Sequence, residues 1–156
     1  MESCKEELLQ DAKFLRYLCS AIAVTLPALL AGYRDEVIGT DTANYVFYFE
    51  QAVTYNSFGD YYNDFIFIEP GFLMLNYIVS LLGGSTITYL FLVHLLIVTT
   101  IYISAFLWRR YMDPTWVMFI FYFIMFNESL NAVRQYAAIA MVLLAFSLYA
   151  VKQKKL

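Results

Sequence analysis

Charged residues, histidine and cysteine are all scarce in this sequence. Of its 156 residues, 15% are charged, whereas 62% are hydrophobic and 19% are aromatic. A soluble domain carries about 25% charged and about 45–50% apolar residues, so the composition excludes a globular enzyme with a water-facing surface. One histidine, His94, and two cysteines provide neither a metal-ligand pattern nor a secreted disulfide framework. The small net charge of −3 gives no sign of nucleic-acid binding, and we predict no metal or cofactor.

Long apolar runs recur along the chain and predict an all-α, polytopic membrane helical bundle. Runs of about 18 or more apolar residues can cross a bilayer as a helix. We predict about four transmembrane helices in a single membrane domain, at residues 14–32, 86–108, 113–127 and 132–151. The polar residues 1–13 predict a short cytoplasmic helix. A cleaved signal peptide is the alternative for the first run, but the long acidic leader and the lack of a clear A-x-A site disfavour it.

A long polar loop and a short apolar stretch separate the first two spans. The loop covers residues 33–69, and its second half is rich in Phe and Tyr. Such rings suit sugar faces and the membrane interface equally well. The apolar part of residues 70–84 has about eleven residues, which rise only ~17 Å as a helix, short of a ~30 Å bilayer core. We therefore predict a short re-entrant or half-depth helix, begun by Pro70.

The distribution of Lys and Arg predicts the topology. If the N-terminus is cytoplasmic and residues 70–84 do not cross, eight of the ten basic residues lie inside, as the positive-inside bias expects. Both termini are then cytoplasmic, and Arg34 and Arg134 alone lie on the outer face. Basic residues placed against the topology signal usually have another role, so these two arginines are the main site candidates.

The two arginines belong to polar islands at residues 33–45 (YRDEVIGTDTANY) and 126–135 (FNESLNAVRQ). We predict that these islands, with Glu69, form one anionic-substrate site. A guanidinium can hold a phosphate or pyrophosphate through two parallel hydrogen bonds. Asp41 and Glu69 are carboxylates at the same interface, and a partly desolvated carboxylate can act as general base for glycosyl transfer. Gly39 permits a positive φ and a close approach of the backbone to a ligand.

Each candidate also has a structural alternative. Either arginine can snorkel to lipid headgroups or pair with a nearby acid. Asp41 can serve a turn, and Glu69 can interact with the dipole of the helix that follows it. Asn131 and Gln135 can satisfy backbone groups at a broken helix. His94 lies alone within a span and fits a helix–helix hydrogen bond better than a proton relay.

Three short motifs follow one another along the chain. They are Arg34 with Gly39-Thr40-Asp41 and Tyr45 (R-x4-GTD-x3-Y), Glu69-Pro70-Gly71-Phe72 with Asn76 (EPGFxxxN), and residues 131–135 (NxxRQ). In this order they resemble the N-terminal part of the EpsG family of exopolysaccharide-biosynthesis membrane proteins, relatives of the Wzy-type polymerases. Each motif is only a few residues long, so their order in a polytopic protein is the more specific signal.

The resemblance implies a multi-pass protein of the bacterial inner membrane that polymerises lipid-linked, undecaprenyl-pyrophosphate-linked oligosaccharide at the outer face, without a nucleotide sugar. It implies that Arg34 and Arg134 hold the pyrophosphate leaving group and that Asp41 or Glu69 activates the acceptor hydroxyl. The further substrate-binding residues that we predict are Gly39, Tyr45 and Gln135.

The resemblance also defines the expected partners and the competing functions. The predicted partners are the lipid bilayer, a lipid-linked oligosaccharide and other polysaccharide-assembly membrane proteins. A non-catalytic subunit of such an assembly and a flippase or transporter component are the alternative functions. Proteins of this kind look considerably longer than 156 residues, so we expect a fragment, a truncated reading frame or a half that needs a partner.

Overall fold

The computed structural model describes residues 2–35, 38–39 and 41–153, with side chains from residue 10 onward. Every regular element in these ranges is helical, which confirms the predicted all-α class. The elements are α1 (Glu2–Gly32), α2 (Thr42–Thr54), α3 (Phe58–Asp64), α4 (Pro70–Leu81), α5 (Thr86–Leu107), α6 (Pro114–Ile120), a π-helical segment (Phe121–Met125), α7 (Phe126–Asn131) and α8 (Val133–Gln153).

In the described part of the chain, three helices are long and apolar enough to cross a membrane, judged by length and composition. They are Gln10–Gly32 within α1, Thr86–Leu107 and Val133–Gln153, and they match three of the four predicted spans. The fourth, residues 113–127, is divided among α6, the π-helical segment and α7. The four-span count therefore stays a prediction.

The first helix is longer than predicted. The polar leader and the first apolar run form one continuous α1, because no helix-breaking residue separates them. Pro27 lies inside this helix without ending it. Apolar spans tolerate proline because neighbouring helices and side chains satisfy the carbonyl group that proline leaves free.

Helix α5 lies at the centre of the bundle and contacts α1, α2, α4, α6 and α8. Half of its apolar window is buried, against 11% for α1 and 17% for α8. Helix α1 approaches it closely at Gly32, where an added Cβ would lie 2.9 Å from the Cβ of Phe91. Small residues allow such close approach in membrane bundles. This contact determines where the chain leaves the bundle, two residues before Arg34.

The predicted outer loop folds into α2 and α3, which pack with α4. Tyr61 is fully buried, and its hydroxyl donates to the Tyr48 carbonyl at 2.8 Å. The rings of Tyr55, Phe65 and Tyr77 surround it. Much of the aromatic loop therefore forms an intramolecular core. The sequence predicted sugar binding or the membrane interface for these rings, but not a core.

Candidate functional site

The turn that contains Gly39 contacts the start of the third motif. Gly39 has a φ of +105°, and an added Cβ would collide with Asn131 Oδ1 and lie 2.8 Å from Thr42 Oγ1. Residues with a side chain are strained at this φ. Gly39 thus permits a close approach to another part of the protein, Asn131, in this structure. This contact joins the first and third motifs.

An ion pair joins the second and third motifs. Arg134 Nη1 lies 2.7 Å from Glu69 Oε2, and the two side chains are 31% and 67% exposed. Glu69 precedes Pro70 at the start of α4 but makes no side-chain capping bond. The Arg134 guanidinium also lies 5.9 Å from the centre of the Phe72 ring. At this exposure the pair contributes only about 0–1 kcal/mol, so its main effect is to position the two groups.

The guanidinium of Arg34, unlike that of Arg134, forms no ion pair with another described residue and is buried. All three of its guanidinium nitrogens are shielded from solvent and lack a hydrogen-bond partner. Burial lowers the pKa of Arg34, and the nearby Tyr89 and Tyr45 phenols oppose that shift. A buried guanidinium without a hydrogen-bond partner among the described residues is costly, and such costs are often retained at functional sites.

Tyr45 is the residue at which the two arginines meet. Its phenol interacts electrostatically with Arg34 and with Arg134, and its ring packs edge-on against Phe72 at 5.6 Å. The pKa of Tyr45 is raised, first by burial and then by Asp41, while Arg134 lowers it. Asp41 lies one helical turn before Tyr45, and its carbonyl accepts the Tyr45 N–H at 3.2 Å. The phenol of Tyr45 thus interacts electrostatically with both predicted cations.

A groove of about 550 Å³ opens beside Arg134, with walls from α4, α5 and α8. Among the described residues that line it, Glu69, Arg134 and Gln135 have polar side chains, and the others are apolar or glycine. Two of these three polar residues form the ion pair, and the third is adjacent in sequence. The arrangement suits an amphiphile that places hydrocarbon against the apolar wall and an anionic group at the arginine.

Comparison with protein families identifies the chain. The model of the EpsG family matches residues 17–156, nearly the whole length. The chain belongs to the EpsG family. The resemblance carried by the three motifs is thereby confirmed, and the chain is a multi-pass membrane protein related to polysaccharide biosynthesis. No curated protein and no solved structure matches it.

The other predicted site residues differ in their surroundings. The side chain of Asp41 is exposed and makes no capping bond at the start of α2. Gln135 is also exposed, next to the ion pair, where it lines the groove. Glu36 and Thr40 of the first island, and the basic residues Lys154 and Lys155, lie outside the described residues. The catalytic and binding roles stay predictions.

Three polar residues are fully buried inside the bundle, and no ligand role was predicted for them from the sequence. Asn76, Tyr89 and His94 are 0% exposed, and each has a polar atom without a hydrogen-bond partner. His94 Nδ1 lies 2.9 Å from the Leu90 carbonyl of its own helix, and the backbone of Ser129 in α7 is a second neighbour of the ring, so the helix–helix bond stays a prediction. Buried polar groups within apolar segments are a signal of function, but their burial becomes visible only in the fold.

Proposed function

We propose that this member of the EpsG family joins lipid-linked oligosaccharides at the outer face of the bacterial inner membrane, with undecaprenyl pyrophosphate as the leaving group. The electrostatic coupling of Arg34 and Arg134 to the same phenol, that of Tyr45, together with the apolar groove beside Arg134, is the observation that carries this proposal. A lipid pyrophosphate has hydrocarbon for the groove and two phosphoryl groups for two guanidiniums.

The proposed reaction forms one glycosidic bond and breaks another bond at the same carbon. The acceptor hydroxyl oxygen attacks the anomeric carbon of the lipid-linked sugar, and the lipid pyrophosphate leaves with the electron pair of its C–O bond. Arg34 and Arg134 stabilise the negative charge that develops on the leaving group. Asp41 or Glu69 accepts the hydroxyl proton. Glu69 must first give up its contact with Arg134 Nη1, because a phosphate oxygen would use the same donor.

Substitution of the arginines by lysine tests the proposal. Lysine keeps the charge but loses the bidentate geometry, so Arg34→Lys and Arg134→Lys should each shorten the polymer made in cells at matched protein level. Arg109→Lys is the control, because Arg109 is exposed at the other end of α5 and binds the Phe106 carbonyl of that helix. Normal polymer length from both test variants would refute the proposed role of the site.

A non-catalytic role in an assembly complex is the second candidate. It is favoured by the exposure of both predicted bases and by the pairing of Glu69 with Arg134. The double variant Asp41→Asn, Glu69→Gln separates the two functions, since a polymerase loses its proton acceptors while a scaffold does not. Polymer of normal length and amount from this variant would favour the scaffold.

The outer-face location is tested by thiol labelling in intact cells. In a chain whose native cysteines are replaced by serine, Asp41→Cys should react with a membrane-impermeant reagent from outside. Arg110→Cys should react only after the cells are opened, because the positive-inside bias places it in the cytoplasm. The reverse pattern would contradict the topology and with it the outer-face reaction.

A further inference from the structure

Three side chains inside the bundle have buried polar atoms without a hydrogen-bond partner among the described residues. These atoms are the three guanidinium nitrogens of Arg34, both amide atoms of Asn76 and the hydroxyl of Tyr89. Asn76 and Tyr89 are both 0% exposed. Buried polar groups in folded proteins are almost always paired, and each exception needs an explanation. We call these three residues the inner cluster.

The inner cluster is assembled from separate parts of the chain. Arg34 follows α1, Asn76 lies on α4 and Tyr89 lies near the start of α5. Arg34 and Tyr89 interact electrostatically. Tyr61 is an electrostatic neighbour of Tyr89, and its hydroxyl, which donates to the Tyr48 carbonyl of α2, also interacts with the side chain of Asn76. The ring of Phe49 stacks on Tyr89 at 4.5 Å and holds its orientation.

The hydrogen-bonding inventory of the cluster defines the class of ligand. A guanidinium presents five N–H donors and no acceptor, an amide adds two donors and one carbonyl acceptor, and a phenol adds one donor, so that donors predominate. The one formal charge among the three residues is that of Arg34. A neutral sugar hydroxyl would leave this charge without a counter-ion, whereas a phosphoryl group offers several acceptor oxygens and a negative charge.

We infer that Arg34, Asn76 and Tyr89 form a buried phosphoryl-binding site inside the bundle, distinct from the ion pair of Glu69 and Arg134. The inference deepens the proposed function. It rests on that function only for the source of the phosphoryl group, which is the lipid-linked substrate. It adds Asn76 and Tyr89 as binding residues, and it explains why the Arg34 guanidinium has no hydrogen-bond partner among the described residues.

The site has a consequence for stability that a purely structural arginine would not have. Without a ligand, the buried charge of Arg34 opposes folding. Arg34→Met removes this charge and keeps a side chain that can fill the space, so the free protein should melt at a higher temperature. The same variant should lose the stabilisation that a bound anion provides.

The experiment is thermal unfolding of the purified full chain in nanodiscs, with pyrophosphate, inorganic phosphate or geranyl pyrophosphate as probe and chloride at matched ionic strength as reference. The wild type should be stabilised by a phosphoryl probe. Tyr89→Phe, which removes one hydroxyl, and Asn76→Leu should each weaken the apparent affinity about ten-fold or more, since a hydrogen bond to a charged group is lost. Tyr102→Phe is the control, because the Tyr102 hydroxyl bonds to Ser20 between α1 and α5.

The results separate this inference from the proposed function. No response to any probe, or equal affinities in the wild type, Tyr89→Phe and Asn76→Leu, would overturn the inner site. A lower melting temperature for free Arg34→Met would assign the arginine a structural role instead. Weakened binding with unchanged polymer length in Tyr89→Phe would keep the site and remove the polymerase. A stronger response to geranyl pyrophosphate than to pyrophosphate identifies a lipid as the source of the phosphoryl group, and equal responses identify a free anion.

Discussion

Substitution of Gly39 by alanine tests the contact that joins the first and third motifs. At a φ of +105° a side chain costs about 1–3 kcal/mol of backbone strain. The added Cβ also collides with Asn131 Oδ1 and crowds Thr42 Oγ1 at 2.8 Å, and such overpacking costs about 1–3 kcal/mol more. We therefore expect Gly39→Ala to lower the free energy of unfolding by roughly 2–6 kcal/mol.

Alanine substitutions at two other glycines separate the backbone strain of Gly39→Ala from its steric collision with Asn131. Gly83 has a φ of +67° with nothing within 4 Å of its added Cβ, so Gly83→Ala should carry only the backbone cost of about 1–2 kcal/mol. Gly71 also has open space around its Cβ position and no positive φ, so Gly71→Ala should be near neutral. Adding Asn131→Ala to Gly39→Ala removes the main collision and should restore part of the loss.

Unfolding in mixed micelles, with increasing sodium dodecyl sulfate, measures the free energies of the series. The expected order of stability is Gly71→Ala above Gly83→Ala above Gly39→Ala. If Gly39→Ala were as stable as Gly83→Ala, the turn would not pack against Asn131, and the joining of the two motifs would be refuted.

Three further predictions concern the packing around the site. Gly32→Ala should destabilise the protein by about 1–3 kcal/mol, because its Cβ would lie 2.9 Å from a Cβ of α5; an unchanged unfolding midpoint would contradict the close contact of α1 and α5. Tyr61→Phe should cost about 1 kcal/mol through the lost hydrogen bond to α2. Burial raises the pKa of Tyr61 from 10.0 to about 12. The extra free energy of unfolding of the wild type over Tyr61→Phe is therefore complete below pH 10 and should shrink as the pH rises to 12. A difference in unfolding free energy that does not change with pH would contradict the burial. Ala138→Trp fills the groove and should shorten the polymer, whereas Ala145→Trp, exposed on the same helix outside the groove, should not.

The apolar helices could be predicted from the sequence because the length and composition that a bilayer requires are local properties of the chain. The predicted spans at residues 86–108 and 132–151 became α5 and α8 with ends that differ by one or two residues. Pro70 begins α4 as predicted, since proline is suited to the first turn of a helix. The division of residues 114–131 by a π-helical segment had no comparable local signal.

The sequence alone also singled out Arg34, Glu69 and Arg134, because charged residues beside apolar runs are conspicuous in composition. It did not determine that Glu69 pairs with Arg134 while Arg34 lacks a hydrogen-bond partner. Pairing depends on distances between residues far apart in the chain, and those distances exist only after α1, α4 and α8 have packed. The same holds for the aromatic loop, where identical rings suit a core, a membrane interface or a sugar, and only the tertiary structure assigned most of them to a core.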